Sequence, residues 1–99
     1  MNKEELVNTV AEKTGFSKKN SALALDTILE TISREVASGN RVVIVGFGTF
    51  DTQKRAARTG RNPHTNAEVY IPSAVVPRFK PGRVLRNMVS GRGGSYEET

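Results

Sequence analysis

A short turn with a proline at its centre is the most distinctive chemical feature of this sequence. The turn spans Gly60–Asn66 and carries Pro63 in its middle. Four basic residues lead up to it or lie within it: Lys54, Arg55, Arg58 and Arg61. Their charged groups can bind phosphate, and the planar, weakly hydrated guanidinium of arginine also suits a narrow groove. The proline adds a rigid apolar tip, so the segment is suited to gripping a duplex and wedging its base steps.

Two extended segments flank this turn and must position it. The residue types predict strands over Thr49–Thr59 and Glu68–Phe79. Because the pair is too polar to bury itself, we expect a long β-ribbon arm, about residues 53–76, that projects from a small body. Pro72 and Pro77 each lack the N–H that a strand ladder needs, so they mark bulges or sheet edges.

Helical patterns precede the strands. A first helix is expected to begin after Asn2, a good N-cap, and to end at Gly15. Ser17 is expected to cap a second helix that runs to about Ser38, with apolar residues spaced three and four apart. Two further elements follow from the pattern: a strand at Arg41–Val45 and a short helix from Arg83 to about Val89. The order predicts an α+β fold in which a helical hairpin supports an antiparallel β-sheet saddle with a protruding β-ribbon arm.

The positive charge is concentrated in the second half of the chain. The 99 residues carry a net charge of +5. Residues 1–40 hold five Lys/Arg against six Asp/Glu, whereas residues 41–92 hold ten Lys/Arg against two Asp/Glu. Such clustered basic charge is the footprint of a phosphate-binding surface.

The composition excludes several classes of function. The chain has no cysteine, so it has no disulfide framework and no thiolate chemistry. No apolar run approaches the roughly 18 to 20 residues of a membrane span, and the N-terminus lacks a signal-peptide core. We therefore expect one soluble domain in the cytoplasm, with no membrane partner.

The sequence also offers no catalytic constellation. His64 is the one histidine, and no carboxylate pair, phosphate-cradling loop or metal-ligand spacing accompanies it. We expect no catalytic residue, no metal, no cofactor and no small-molecule substrate.

The predicted body is too small for its apolar residues. About 75 residues remain once the arm is set aside, and a domain of that size is marginal alone. The surplus of apolar side chains predicts an intertwined homodimer with a shared core: Leu29, Ile32, Phe47, Phe50 and Phe79. Two copies would also supply two arms.

The motifs resemble the bacterial histone-like HU and integration host factor family. The resemblance rests on Gly46–Phe50, the basic positions and turn of the arm, the opening Met1–Lys3 and the closing Pro77–Gly82, and covers about residues 1–90. It implies one domain over 1–90, an obligate dimer, and two arms that enter the minor groove of DNA, as architectural proteins do. Residues 91–99 extend beyond it and are expected to form a flexible tail.

The same resemblance assigns DNA-binding roles. Pro63 matches the wedge at the arm tip, Asn62 the polar residue beside it, and the arm arginines the groove-lining positions. The full predicted DNA-binding set is Lys3, Lys18, Lys54, Arg55, Arg58, Arg61, Asn62, Pro63, Lys80, Arg83 and Arg86. Gln53 departs from the pattern, because many members carry a basic residue there, and it weakens the expected grip at the base of the arm.

These observations predict a nucleoid-associated protein that binds double-stranded DNA with little sequence specificity, bends and compacts it, and prefers nicked or distorted DNA. Three alternatives stay open. One is a sequence-preferring DNA-bending factor like integration host factor. Another is a module for structured RNA, against which the expected lack of stacking aromatics on the arm argues. The third is an enzyme acting on nucleic acid, which the missing acid–base and metal sets disfavour.

Overall fold

The computed structural model describes residues 1–93 and contains three helices and five strands within that range. In chain order they are α1 (Lys3–Thr14), α2 (Lys18–Ala37), β1 (Val42–Ile44), β2 (Gly48–Arg55), β3 (Arg58–Arg61), β4 (Glu68–Ile71), β5 (Ala74–Pro81) and α3 (Arg83–Val89). The predicted α+β class and the order of its elements are confirmed. The part of the predicted tail from residue 94 to residue 99 lies outside the described residues.

Local capping chemistry sets the ends of the first two helices. The Asn2 side chain accepts a hydrogen bond from the Glu5 amide at 2.9 Å, which satisfies a free donor of the first turn of α1. Gly15 ends that helix in a left-handed conformation with φ of 77°. The Ser17 hydroxyl accepts from the Asn20 amide at 3.0 Å and starts α2. The predicted boundaries of both helices are therefore confirmed.

The strands form two antiparallel sheets. The larger has the order β1-β2-β5, and the smaller pairs β3 with β4. The two long strands expected on either side of the turn are each interrupted, at residues 56–57 and 72–73. One break falls at Pro72, which has no N–H to donate to a ladder. Pro77 is accommodated inside β5 because that strand lies at the sheet edge.

Three phenylalanines cluster between the sheet and the turn that follows β1. The ring centroids of Phe50 and Phe79, which are cross-strand partners in the β2–β5 register, lie 4.8 Å apart. Phe47 lies 5.5 Å from Phe79 and 6.4 Å from Phe50. These tilted contacts are favourable for aromatic pairs and join β2 and β5 to the turn.

Helix α3 is anchored to the same turn through backbone hydrogen bonds. The Gly82 amide donates to the Phe47 carbonyl at 2.8 Å, and the Leu85 amide donates to the Gly46 carbonyl at 3.2 Å. Gly48 and Pro81 are paired at this end of β2 and β5, whereas Arg55 and Ala74 are paired at the other end. The helix and the arm therefore lie at opposite ends of the same strand pair.

The single chain has almost no sealed core. Among the described residues, Val7 and Val84 are the only buried apolar side chains, whereas Leu29 is 47% exposed and Phe79 is 39% exposed. The radius of gyration is 18.8 Å, compared with about 13 Å for a compact domain of this length. The apolar surface of α2 and of the sheet is thus left open to a partner.

No helix in the described part of the chain has the length and apolarity to cross a membrane.

Candidate nucleic-acid interface

The turn at the end of the arm is held by its own hydrogen bonds. The Asn62 side-chain oxygen accepts from the His64 amide at 2.9 Å, and the Asn62 carbonyl accepts from the Asn66 amide at 2.7 Å. The Asn62 amide donates to the Ala67 carbonyl at 2.9 Å. Asn66 takes a positive φ of 57°, which asparagine tolerates better than most residues. Pro63 is exposed on this closed turn, so the tip is both apolar and rigid.

The two arginines of β3 point to opposite faces of the ribbon. Arg58 pairs with Ile71, and Arg61 pairs with Glu68. Because side chains alternate along a strand, positions 58 and 61 lie on different faces. Arg61 also reaches toward the tip, where its Nη1 donates a 3.4 Å hydrogen bond to the Asn66 carbonyl. The predicted set of arm arginines is therefore divided between the two faces of the ribbon, and each face of β3 carries one guanidinium.

The arm carries one exposed aromatic side chain, contrary to the expectation that it has none. Tyr70 on β4 is 69% exposed and pairs with Thr59. By alternation it shares a face with Arg61. The exposed Tyr70 therefore means that a lack of aromatic side chains on the arm cannot be used to exclude RNA.

The larger sheet presents a second basic surface. Alternation along β5 places Arg78 and Lys80 on one face, and their partners on β2 are Asp51 and Thr49. Arg55, at the arm end of β2, belongs to the same face. We call this surface the basic sheet face. Lys54 belongs to the opposite face, with Phe50 and Phe79, so the sequence-adjacent pair of basic residues is split between two surfaces.

Asp51 is the acidic member of the basic sheet face. Its carboxylate accepts two hydrogen bonds from the Arg78 guanidinium, at 2.9 Å from Nε and 2.9 Å from Nη2. These bonds hold the pKa of the Asp51 carboxyl below its ordinary value, and the positive charges of Arg78, Lys80 and Arg41 act in the same direction. Desolvation opposes the shift. The pair neutralises Arg78, whereas Lys80 and Arg41 form no ion pair with a carboxylate in the range 1–93.

Sequence reasoning did not identify Arg41 or Arg78 as members of a basic surface. Arg78 stands two residues before Lys80, so the period of a strand was the signal that could have placed both on one face. The position of Arg41 beside Asp51 depends on how β1 and β2 pair, which sequence alone does not give.

The predicted contacts on the body have different surroundings. Lys3 forms an ion pair of 2.6 Å with Asp26 of α2, so its charge is already partly compensated. Lys18 is exposed at the first position of α2. Arg83 and Arg86 are exposed on α3 and line one concave surface. The structure thus separates the predicted DNA-binding residues into an arm group, a sheet group and a body group.

A groove of about 780 Å³ opens between α2 and the sheet. Four of the five predicted dimer-core residues line it: Leu29, Ile32, Phe50 and Phe79. The fifth, Phe47, does not line the groove but packs against two of those rings. The groove is continuous with the open apolar face of the single chain.

Within residues 1–93, no group of three or more His, Asp or Glu side chains is placed to hold a metal ion. The structure places guanidinium and ammonium groups on the arm, on the sheet and on the body, and it exposes the apolar Pro63 at the arm tip. Such groups can bind an anionic polymer through charge and hydrogen bonds.

The comparisons with known proteins agree with binding of an anionic polymer. Residues 1–90 match the family model described as bacterial DNA-binding protein. The chain is 52% identical over 89 residues to the DNA-binding protein HU of Thermotoga maritima, and the match covers 90% of this chain and 99% of that one. It is 47% identical over 89 residues to the DNA-binding protein HU of Geobacillus stearothermophilus, with the same coverage.

Among solved structures, an Anabaena HU–DNA cocrystal structure matches with a TM-score of 0.87 and 48% identity, over 91% of this chain and 98% of that chain. The family match spans nearly the whole chain, and the relatives are matched over nearly their whole length. The chain therefore belongs to the bacterial DNA-binding protein family whose members include HU.

Proposed function

We propose that this protein is a homodimeric architectural protein of the nucleoid that binds double-stranded DNA through the minor groove. The observation that carries the proposal is the arm tip, where an exposed Pro63 sits on a turn closed by hydrogen bonds and bordered by Arg61. In this function the protein bends and compacts DNA, has little sequence preference and favours DNA that is already nicked or distorted. It acts by binding and deforming DNA, without catalysis.

The groove between α2 and the sheet supports the dimer. Leu29 and Phe79 expose 47% and 39% of their surface in the single chain, and both line that groove. Covering such apolar surface contributes roughly 25 cal/mol for each Å² removed from water. A second copy supplies the same type of surface, as a two-fold interface requires.

A charged residue placed in the groove tests this dimer. We expect Leu29→Lys to abolish dimer formation, because a buried ammonium without a partner is costly. Leu23→Lys is the matched control, since Leu23 is on the same helix, is 64% exposed and does not line the groove. Sedimentation measurements on the parent and on both variants determine whether each protein is a dimer or a monomer. A dimeric Leu29→Lys protein would contradict the proposed interface.

The arms are proposed to enter the minor groove because the ribbon carries a guanidinium on each face. Arg58 would meet one wall of the groove and Arg61 the other. The minor groove distinguishes mainly A·T from G·C pairs, so contacts there give little sequence discrimination. Phosphate contacts elsewhere add affinity that does not depend on sequence.

Pro63 supplies the bending step in this proposal. Inserting an apolar wedge between base steps costs a few kcal/mol of unstacking, which contacts with the bent duplex offset. The hydrogen bonds around Asn62 make the turn rigid. When Pro63 is pressed against the base pairs, the DNA therefore deforms and the turn keeps its conformation. A nick removes part of the stacking cost beforehand, which is the physical reason to expect a preference for nicked DNA.

Competition and footprinting test the choice of partner. We expect mixed-sequence duplex DNA to displace labelled DNA from the protein far better than structured RNA at the same salt concentration. Footprinting of the bound duplex should show no fixed site. Equal competition by RNA would contradict the DNA assignment, and a single protected site would favour the sequence-preferring alternative.

A further inference from the structure

The described chain continues past α3 into residues 91–93, beyond the segment that the family model matches. This continuation is structurally defined. The Arg92 amide donates to the Asn87 carbonyl at 2.9 Å, and the Gly91 amide donates to the Met88 carbonyl at 3.4 Å. Gly91 has a φ of 79°. These bonds form a Schellman motif, which fixes the backbone of Arg92 against the end of the helix.

The motif places Arg92 beside the two arginines of α3. One concave surface of about 640 Å³ is lined by Arg83, Arg86, Asn87, Ser90 and Arg92. We call it the α3 concavity. It combines three guanidinium groups with an amide and a hydroxyl, and none of its described lining residues is acidic.

The three guanidinium groups keep most of their donors free among the described residues. Arg86 donates one long hydrogen bond of 3.4 Å, from Nε to the Gly82 carbonyl. Neither Arg83 nor Arg92 forms a side-chain hydrogen bond or an ion pair with any residue in the range 1–93. Like charges gathered on one surface repel each other, and a bound anion relieves that repulsion.

We propose that Arg92 is a further phosphate ligand in the α3 concavity, added to the DNA contacts predicted for Arg83 and Arg86. The inference rests on the proposed function and extends it to a contact outside the family segment. Strand β2 runs from Gly48, at the α3 end, to Arg55, at the arm end. These two residues are about 23 Å apart at the usual rise of a strand. A duplex that touches both ends of this strand pair therefore runs along the body after leaving the arms.

The salt dependence of DNA binding by Arg92→Gln tests the site. Each phosphate contact contributes about 0.9 to the slope of log affinity on log salt concentration. We expect the magnitude of the slope to fall by about 0.9 for each Arg92 that engages a phosphate, so the ratio of parent to variant affinity should change roughly eightfold over one decade of salt. Arg92→Lys should keep the slope, because it keeps the charge.

A matched control separates contact from net charge. Lys13→Gln also removes one positive charge, from an exposed position in the last turn of α1. We expect it to leave the slope at the parental value. A slope lowered equally by Lys13→Gln and Arg92→Gln would overturn the site, as would an unchanged slope for Arg92→Gln.

Thermal stability distinguishes this site from a structural role. A cation near a helix C-terminus can stabilise the helix. A lower melting temperature of Arg92→Gln with an unchanged slope would therefore assign Arg92 to helix stability and overturn the proposal. Failure of the proposed function is distinguishable from failure of this site. If the parent protein shows no salt-dependent DNA binding, the proposed function is wrong. If the parent binds DNA and Arg92→Gln has the same salt slope, only the role of Arg92 in the α3 concavity is refuted.

Discussion

The Asp51 carboxylate and the Arg78 guanidinium meet across β2 and β5 through two hydrogen bonds of 2.9 Å. The two residues are direct partners in the antiparallel register. The carboxylate side chain is 16% exposed and the guanidinium is 36% exposed, so the pair is partly shielded from water. A bidentate pair of this geometry fixes the register of the strands that lead to the arm.

We expect Asp51→Asn to reduce the stability of the fold at neutral pH and to weaken its dependence on pH. The folded-state pKa of Asp51 is lowered, so its contribution is present above the unfolded-state pKa and is lost as pH falls through the folded value. The parent should therefore lose this contribution progressively as pH falls below about 4, the ordinary pKa of the group.

Denaturant unfolding of parent and variant across the acid range provides the measurement. The difference in stability between the two proteins should be largest at neutral pH and should shrink toward zero in strong acid. A constant difference over the whole range would contradict the role of the Asp51 charge. The variant should also bind DNA more tightly, because one negative charge leaves the basic sheet face.

We expect Pro63→Ala to reduce DNA bending while leaving the salt slope nearly unchanged. The substitution removes the apolar ring from the tip but removes no charge, and phosphate contacts set the slope. Energy transfer between dyes at the two ends of a duplex measures the bend. Pro72→Ala is the matched control, since Pro72 is an exposed proline outside the tip turn. If DNA bound to Pro63→Ala is bent as much as DNA bound to the parent, a group other than Pro63 acts as the wedge.

We expect Arg58→Ala to have the complementary effect. It should lower affinity for all duplex sequences alike and reduce the salt slope by about 0.9 for each phosphate that Arg58 binds in the parent complex. Arg34→Ala removes the same side chain from the body, where Arg34 forms an ion pair of 2.8 Å with Glu30. DNA titrations at several salt concentrations should show that Arg34→Ala keeps the parental affinity and the parental salt slope. Equal effects of Arg58→Ala and Pro63→Ala on bending and on slope would refute the division of roles.

We expect Ser21→Ala to leave the fold intact and to stabilise it by about 1 kcal/mol. Ser21 on α2 is fully buried, and its hydroxyl has no hydrogen-bond partner among the described residues. Removing an unsatisfied buried polar atom removes its desolvation cost. Melting temperatures from thermal unfolding give the comparison, with Ser73→Ala as control, since Ser73 is exposed in the loop between β4 and β5. A loss of stability larger than that of the control would show that the hydroxyl has a partner in the folded state.

The helix boundaries could be predicted because their causes are local. Asn2 and Ser17 cap helices with side chains that reach amides three residues away. Gly15 ends α1 because glycine adopts the left-handed conformation without strain. Each of these effects operates within one turn of the chain, so the residue types alone indicate it.

The arrangement of the candidate site depends on pairings that are distant in sequence. Asp51 and Arg78 are 27 positions apart, and only the β2–β5 register brings them together. The pairing of Lys3 with Asp26 depends in the same way on how α1 packs against α2. The break at Pro72 and the split of Lys54 from Arg55 have local causes instead, namely the missing proline N–H and the alternation of side chains along a strand. Sequence could thus identify the basic arm but not which basic residues are paired with carboxylates from distant parts of the chain.

The most direct test of DNA bending by the arm tip compares binding of the parent protein to a linear duplex and to a nicked duplex of the same sequence, each over a salt series. We predict tighter binding to the nicked duplex, with a steep salt slope on both duplexes, because the nick lowers the cost of the kink while the phosphate contacts remain. Equal affinity for the two duplexes would mean that the arms clasp the backbone without wedging the bases, and it would contradict the role of Pro63.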